Sequence, residues 1–188
     1  MAETLPPPAL AVVEVASIAR GLVVADAVVK RAAVRLLRAD PVTPGKYVLV
    51  FVGSVAEVEE ALDAGREAAG SEHIDVLLLS EAHRAIVPAL EGVEPPPIDG
   101  SLGVLEMRTV AATLLACEKA LKAADVTLVA LHLARGIGGK GYFVFTGSQD
   151  SVEASLEAGD GAVAAELRAG REIIAHPHPD VDWALTRL

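Results

Sequence analysis

The chain repeats itself. The stretch LGVLEMRTVAATLLACEKALKAADV, starting at Leu102, follows LAVVEVASIARGLVVADAVVKRAAV, starting at Leu10, at an offset of 92 residues. GKGYFVFTGSQDSVEASLEAG, starting at Gly139, follows GKYVLVFVGSVAEVEEALDAG, starting at Gly45, at an offset of 94. Nineteen of these paired residues are identical, and most of the others exchange one small or apolar side chain for another. An internal duplication of this length demands two domains of one fold. Each repeat, at roughly 85–90 residues, is large enough to hold a core yet marginal alone.

Within each repeat the apolar spacing reads strand, helix, strand, strand, helix, strand. Leu10–Val15 is an apolar run that opens the first repeat, with Glu14 inside it and Glu106 at the same place in the second. Ser17 and Thr109 stand where a side-chain oxygen caps the following helix, which runs to about Ala32 and Ala124. Strands are expected at Val34–Arg38 and Tyr47–Val52, then at Val126–Leu133 and Tyr142–Thr146. Second helices follow at Val55–Ala69 and Ser151–Glu166, then strands at Ile74–Leu79 and Glu172–Ile174. Short terminal helices near His83–Leu90 and Val181–Arg187 complete the repeats. The expected class is α+β, two tandem ferredoxin-like (split βαβ) domains. Residues 1–9, with Pro6, Pro7 and Pro8, read as an extended tail; 10–92 and 102–188 are the domains; 93–101, with Pro95, Pro96 and Pro97, is a semi-rigid linker.

Composition limits the functional classes. Apolar residues make up 52% and aromatics 3%, so the cores are built from small side chains, and thin layers of this kind gain burial by associating. The net charge is −10, with −7 in residues 1–100 and −3 in 101–188, which argues against a nucleic-acid partner. MAETLPPP has neither a basic nor an apolar signal region, and no apolar run is long enough to span a bilayer, so no membrane partner is expected. The single cysteine, Cys117, rules out an internal disulfide and lies among Leu114, Leu115 and Leu121 as a core residue.

Several motifs dissolve on inspection. GIGGKG (Gly136–Gly141) has the G-x-G-x-x-G spacing of a dinucleotide loop, but the strand YFVFTG follows where that loop needs a helix. His176, His178 and Asp180 are closely spaced, yet without a further ligand cluster they read as a Pro-stiffened surface loop, and no metal is expected. No nucleophile–base pairing is evident, so the chain is expected not to be an enzyme. Glu14 and Glu106, paired by the duplication, read as structural.

The order of these motifs resembles the bacterial microcompartment (BMC) shell domain, and two in one chain resemble the tandem-domain, trimer-forming class. The resemblance spans about residues 10–83 and 102–178. It implies a structural shell protein of the bacterial cytoplasm, a homotrimeric pseudohexameric tile that packs with itself and other shell proteins around a central pore for small metabolites. On that resemblance Val42, Thr43, Pro44 and Gly45 of the first repeat and Gly136, Ile137, Gly138 and Gly139 of the second line the pore. Glycines suit six loops crowding one axis, and the two-residue difference in loop length makes the pore threefold. Lys46 and Lys140 flank the loops, where they favour anions. Lys30 and Lys122 match the family's edge lysine. The family's edge motif Ile-Pro-Arg-Pro-His corresponds to Leu79–His83 and Ile174–His178, with Glu81 and His176 at the arginine position and His83 and His178 at its end. This departure implies a different neighbour. Some tandem relatives hold an iron–sulfur cluster on a pore cysteine; neither loop here carries one, and no cofactor is expected. The alternative class is a soluble trimeric regulator of the same fold, binding a small molecule in clefts between chains.

Overall fold

A computed structural model describes residues 8–181. The expected tail (apart from Pro8 and Ala9) and the terminal helix after Val181 lie outside the described residues. The chain divides between Arg84 and Ala85 into two compact units.

The first unit runs β1 (Ala9–Val15), α1 (Ile18–Arg31), β2 (Arg35–Val42), β3 (Lys46–Gly53), α2 (Val55–Ala69) and β4 (His73–Leu79). Its sheet has the order β2-β3-β1-β4, antiparallel throughout. The second opens with the short α3 (Ile86–Leu90), then β5 (Ser101–Met107), α4 (Val110–Ala123), β6 (Thr127–Leu133), β7 (Gly141–Gly147), α5 (Gln149–Gly161) and β8 (Arg168–Ile174). Its sheet, β6-β7-β5-β8, has the same topology. This is the split βαβ arrangement twice over. The sequence reading ends its first domain at residue 92, whereas α3 packs against β6 and so groups with the second unit.

Local chemistry sets the helix starts. Ser17 Oγ accepts from the Arg20 N–H (3.2 Å) and Thr109 Oγ1 from the Ala112 N–H (3.1 Å). Ser54 and Glu57 form a reciprocal capping box at α2, and the bonds from Ser54 hold the Glu57 carboxyl below its usual range. Elsewhere the elements depart from expectation for physical reasons. β2 continues past Arg38 to Val42 through Pro41, which an edge strand tolerates because one of its sides needs no ladder donor. α5 stops at Gly161 rather than Glu166, where two glycines in three residues weaken the helix, and β8 starts early at Arg168 to pair along β5.

Both helices of a unit lie on one face of its sheet. In the first unit Ala11, Val13, Val15, Leu49 and Phe51 meet Val24 and Val28 of α1 and Val58, Ala61 and Leu62 of α2. The helices cross where α2 has Gly65, whose absent Cβ would stand 3.0 Å from Val28 Cγ2. Gly159 serves the same crossing in the second unit, its missing Cβ 2.8 Å from Leu105 Cδ1 and 2.9 Å from the Ala116 carbonyl oxygen.

The repeats have also exchanged one large-for-small pair. Gly21 lies under the Tyr47 ring, with no room for a Cβ; at the matching positions Thr113 lies over Gly141, again with no room for one. Each repeat fills the same gap once, from opposite sides. Threonine at position 21 therefore overpacks against Tyr47. Gly21→Thr is expected to cost about 1–3 kcal/mol in urea unfolding, and clearly less when introduced beside Tyr47→Gly. A second test concerns Ser155, fully buried on α5 with a hydroxyl that has no partner, where the first repeat carries Ala61. Ser155→Ala is expected to raise the unfolding free energy by about 1 kcal/mol.

Candidate functional site

The hairpin joining β2 to β3 and the one joining β6 to β7 sit at the same end of their sheets, where β1 and β5 finish. Val15 pairs with Tyr47, and Met107 pairs with Gly141. The first hairpin is a tight turn over Val42, Thr43, Pro44 and Gly45, closed by the Gly45 N–H donating to the Val42 carbonyl at 2.8 Å. The second is longer and is closed by the Ala134 N–H donating to the Lys140 carbonyl at 2.7 Å. Gly136 (φ 75°), Gly138 (φ 67°) and Gly139 (φ 79°) all occupy the left-handed region, as does Ala134 (φ 58°). A Cβ on Gly136 or Gly138 would meet nothing within 4 Å. Backbone conformation alone therefore favours glycine at these three positions, independently of any crowding on an axis. Below the loop, His132 stacks on Tyr142 (ring centroids 5.3 Å apart), and its Nε2 lies 2.6 Å from the Arg135 carbonyl.

The lysines that leave these hairpins carry a correction. Lys46 is buried against Glu14, and Lys140 pairs with Glu106 at 2.8 Å. Each cation faces a carboxylate from the first strand of its own unit, so neither is an unspent charge that draws anions. The two pairs are equivalent by the duplication but differ in exposure. The side chains of Glu14 and Lys46 are 0% and 9% exposed, those of Glu106 and Lys140 34% and 43%.

The expected edge residues lie at the other end of each sheet. α1 and α4 start beside the hairpins and run back along the sheet, ending with Lys30 and Lys122. Leu10 pairs with Leu79 and Leu102 with Ile174, so Glu81, His83, His176 and His178 follow strands that end there. Strands of seven residues separate the two sets by about 20 Å. Lys30 binds Asp26 one turn back at 2.7 Å, and Lys122 binds Glu118 in the same way. Glu81 is exposed and His83 half-buried. His176 is exposed on a surface groove of about 680 Å³ whose wall includes Ile98, Ser148, Gln149 and Pro177. His178 Nδ1 lies 3.7 Å from Asp180 and accepts from its backbone N–H. Among the described residues no three His, Cys, Asp or Glu side chains group as metal ligands, and no helix is long and apolar enough to cross a membrane. Cys117 is buried, and burial pushes its thiol far above the usual range.

The sequence reading missed one surface. The outer side of α1 exposes Ile18, Leu22, Val23 and Val29. At the matching positions of α4, Val110, Leu114 and Leu121 are buried, and Leu115 is half-buried. Leu22 is 59% exposed and Leu114 0%. The sheets show the reverse contrast. The face away from the helices is closed in the first unit at Val12, Glu14 and Val48, while Val104, Glu106 and Tyr142, its counterparts, are half-open. The available signal was the number of apolar side chains on α1, nine of fourteen residues, more than the few buried positions of one face need.

The BMC domain model matches residues 9–82 and 101–177. The bacterial microcompartment shell protein PduT of Citrobacter freundii is 36% identical over 171 residues, covering 90% of this chain and 93% of the relative. The crystal structure of a microcompartment protein from Desulfitobacterium hafniense DCB superposes with a TM-score of 0.83 at 35% identity, over 92% of this chain and 96% of that one. A fused, permuted hexameric shell protein of the RMM microcompartment shares the fold, with a TM-score of 0.64 at 24% identity over 84% of this chain and 86% of that one.

Of the two ion pairs, the closed one bears on folding. Glu14→Gln leaves Lys46 charged in a buried site and is expected to cost about 3–5 kcal/mol in urea unfolding.

Proposed function

The chain belongs to the BMC-domain family of bacterial microcompartment shell proteins, and from that premise we propose that it is a homotrimeric tile with a central pore. Its role is structural, within a shell in the bacterial cytoplasm, where its partners are further copies of itself and other shell proteins.

The observation that carries the reading is the mismatch between the repeats. The chain has an uncovered apolar stripe on α1 and a half-open apolar face on the β5–β8 sheet, and the counterparts of both are covered. A second chain offers the missing partner for each. Such a contact is head-to-tail, since unlike surfaces meet, and head-to-tail contacts close into a ring when the rotation permits. Three two-domain chains supply six BMC domains, the number a pseudohexameric tile needs.

In that ring the hairpins Val42–Gly45 and Gly136–Gly139 line the axis, and their unequal lengths make the opening threefold. Small metabolites pass between backbone groups and the Thr43 hydroxyl. Lys30, Lys122, Glu81, His83, His176 and His178 belong to the tile's outer edge; the 20 Å that separates them from the hairpins supports this assignment. Glu81 and His176 give the edge a different charge pattern from an arginine-bearing one, which suits a particular neighbouring tile.

Leu22→Glu tests the reading. A charge in the middle of the α1 stripe is expected to leave the circular dichroism spectrum of the folded chain unchanged and to abolish assembly in sedimentation velocity. A variant that assembles as well as the parent would contradict the α1 contact.

A further inference from the structure

The two equivalent ion pairs have different exposure, and the duplication makes the difference informative. Glu14 sits on β1 opposite Val48 of β3, on the sheet face away from the helices, and Lys46 reaches it from the start of β3. Glu106 sits on β5 opposite Tyr142 of β7, and Lys140 reaches it from just before β7. Register, face and chemistry are the same. One pair is closed from solvent within the chain; the other stays partly open, on the sheet face that is itself half-open.

We infer that the Glu106–Lys140 pair is completed by assembly: when the next chain's first unit closes over the outer face of the β5–β8 sheet, this pair becomes as buried as Glu14–Lys46 already is. This rests on the head-to-tail trimer proposed above and adds which charges its interface encloses. The occupant is a second copy of this chain, because its own α1 stripe is apolar and exposed and so complements the half-open apolar sheet face. The apolar part of the contact is Val104, Ala130 and Ile174 on the sheet and Ile18, Leu22 and Val29 on α1. Such a surface slides readily, since apolar contacts are non-directional. An ion pair enclosed at one end is intolerant of slippage, because a register that separates the charges strands them away from water. The pair thus sets the register of the interface, and through it the position of the Gly136–Gly139 hairpin, which leads directly into Lys140. Glu14–Lys46 belongs to the fold of one chain, and Glu106–Lys140 to the assembly.

The experiment is a dilution series followed by native mass spectrometry and circular dichroism, on the full chain and on Glu106→Gln, Lys140→Met and the double variant. Each single variant is expected to dissociate to a folded monomer at a concentration about a hundredfold higher than the parent, since one charge is left to be buried alone. The double variant is expected to recover most of the loss, because no charge then remains to be stranded. If the parent assembles and the single variants dissociate at the parent's concentration, the pair plays no part in assembly and this inference fails while the tile reading stands. If the single variants yield unfolded monomers, the pair belongs to the fold and the inference fails as well. A parent that is monomeric at every concentration overturns both.

Discussion

A four-stranded sheet with both long helices on one side has a second face that those helices leave open. Everything else in this chain follows from how that face is treated. On the β1–β4 sheet it carries Leu10, Val12, Glu14, Val48 and Val50, all closed to solvent. On the β5–β8 sheet it is left half-open, and on α1 a matching apolar stripe stands in water. Cores this poor in aromatic residues gain little from each side chain, so leaving such surfaces uncovered is costly relative to the stability of one domain. The head-to-tail closure proposed for the duplicated chain covers both surfaces without a new fold.

The pairs of charges show the same logic at the level of single residues. An enclosed glutamate and lysine are costly unless they find each other, so each repeat keeps both or would lose by keeping one. The exchange of Gly21 and Tyr47 for Thr113 and Gly141 is a steric version: the repeats have drifted, but the volume between first helix and third strand has been conserved by paired change.

The local parts of this architecture were legible in the sequence. Ser17, Ser54 and Thr109 announce helix starts because a cap depends on a few neighbouring residues, and Val55–Ala69 is found as read. The duplication alone indicates the topology. What could not be read depends on distant contacts. Glu14 and Lys46 were each visible, but their pairing spans 32 residues and joins two strands, so the lysine read as an open charge. The strand expected at Val34–Arg38 stops short of Val42 because nothing local says that β2 is an edge, where Pro41 is tolerated. The α1 stripe was hidden for another reason: its residues and their counterparts on α4 are all large and aliphatic, so apolar character by itself does not say which helix is covered. The positions expected at the axis and at the edge rest on family resemblance, because a contact with other chains leaves no local mark in the sequence.

The most direct test of the account is the absolute mass of the assembled particle, by light scattering after size exclusion. Head-to-tail closure of two-domain chains into a six-domain ring predicts a mass three times that of the 19.4 kDa chain, unchanged over a wide concentration range. A stable monomer, or a dimer that satisfies the α1 stripe by pairing it with itself, would contradict it.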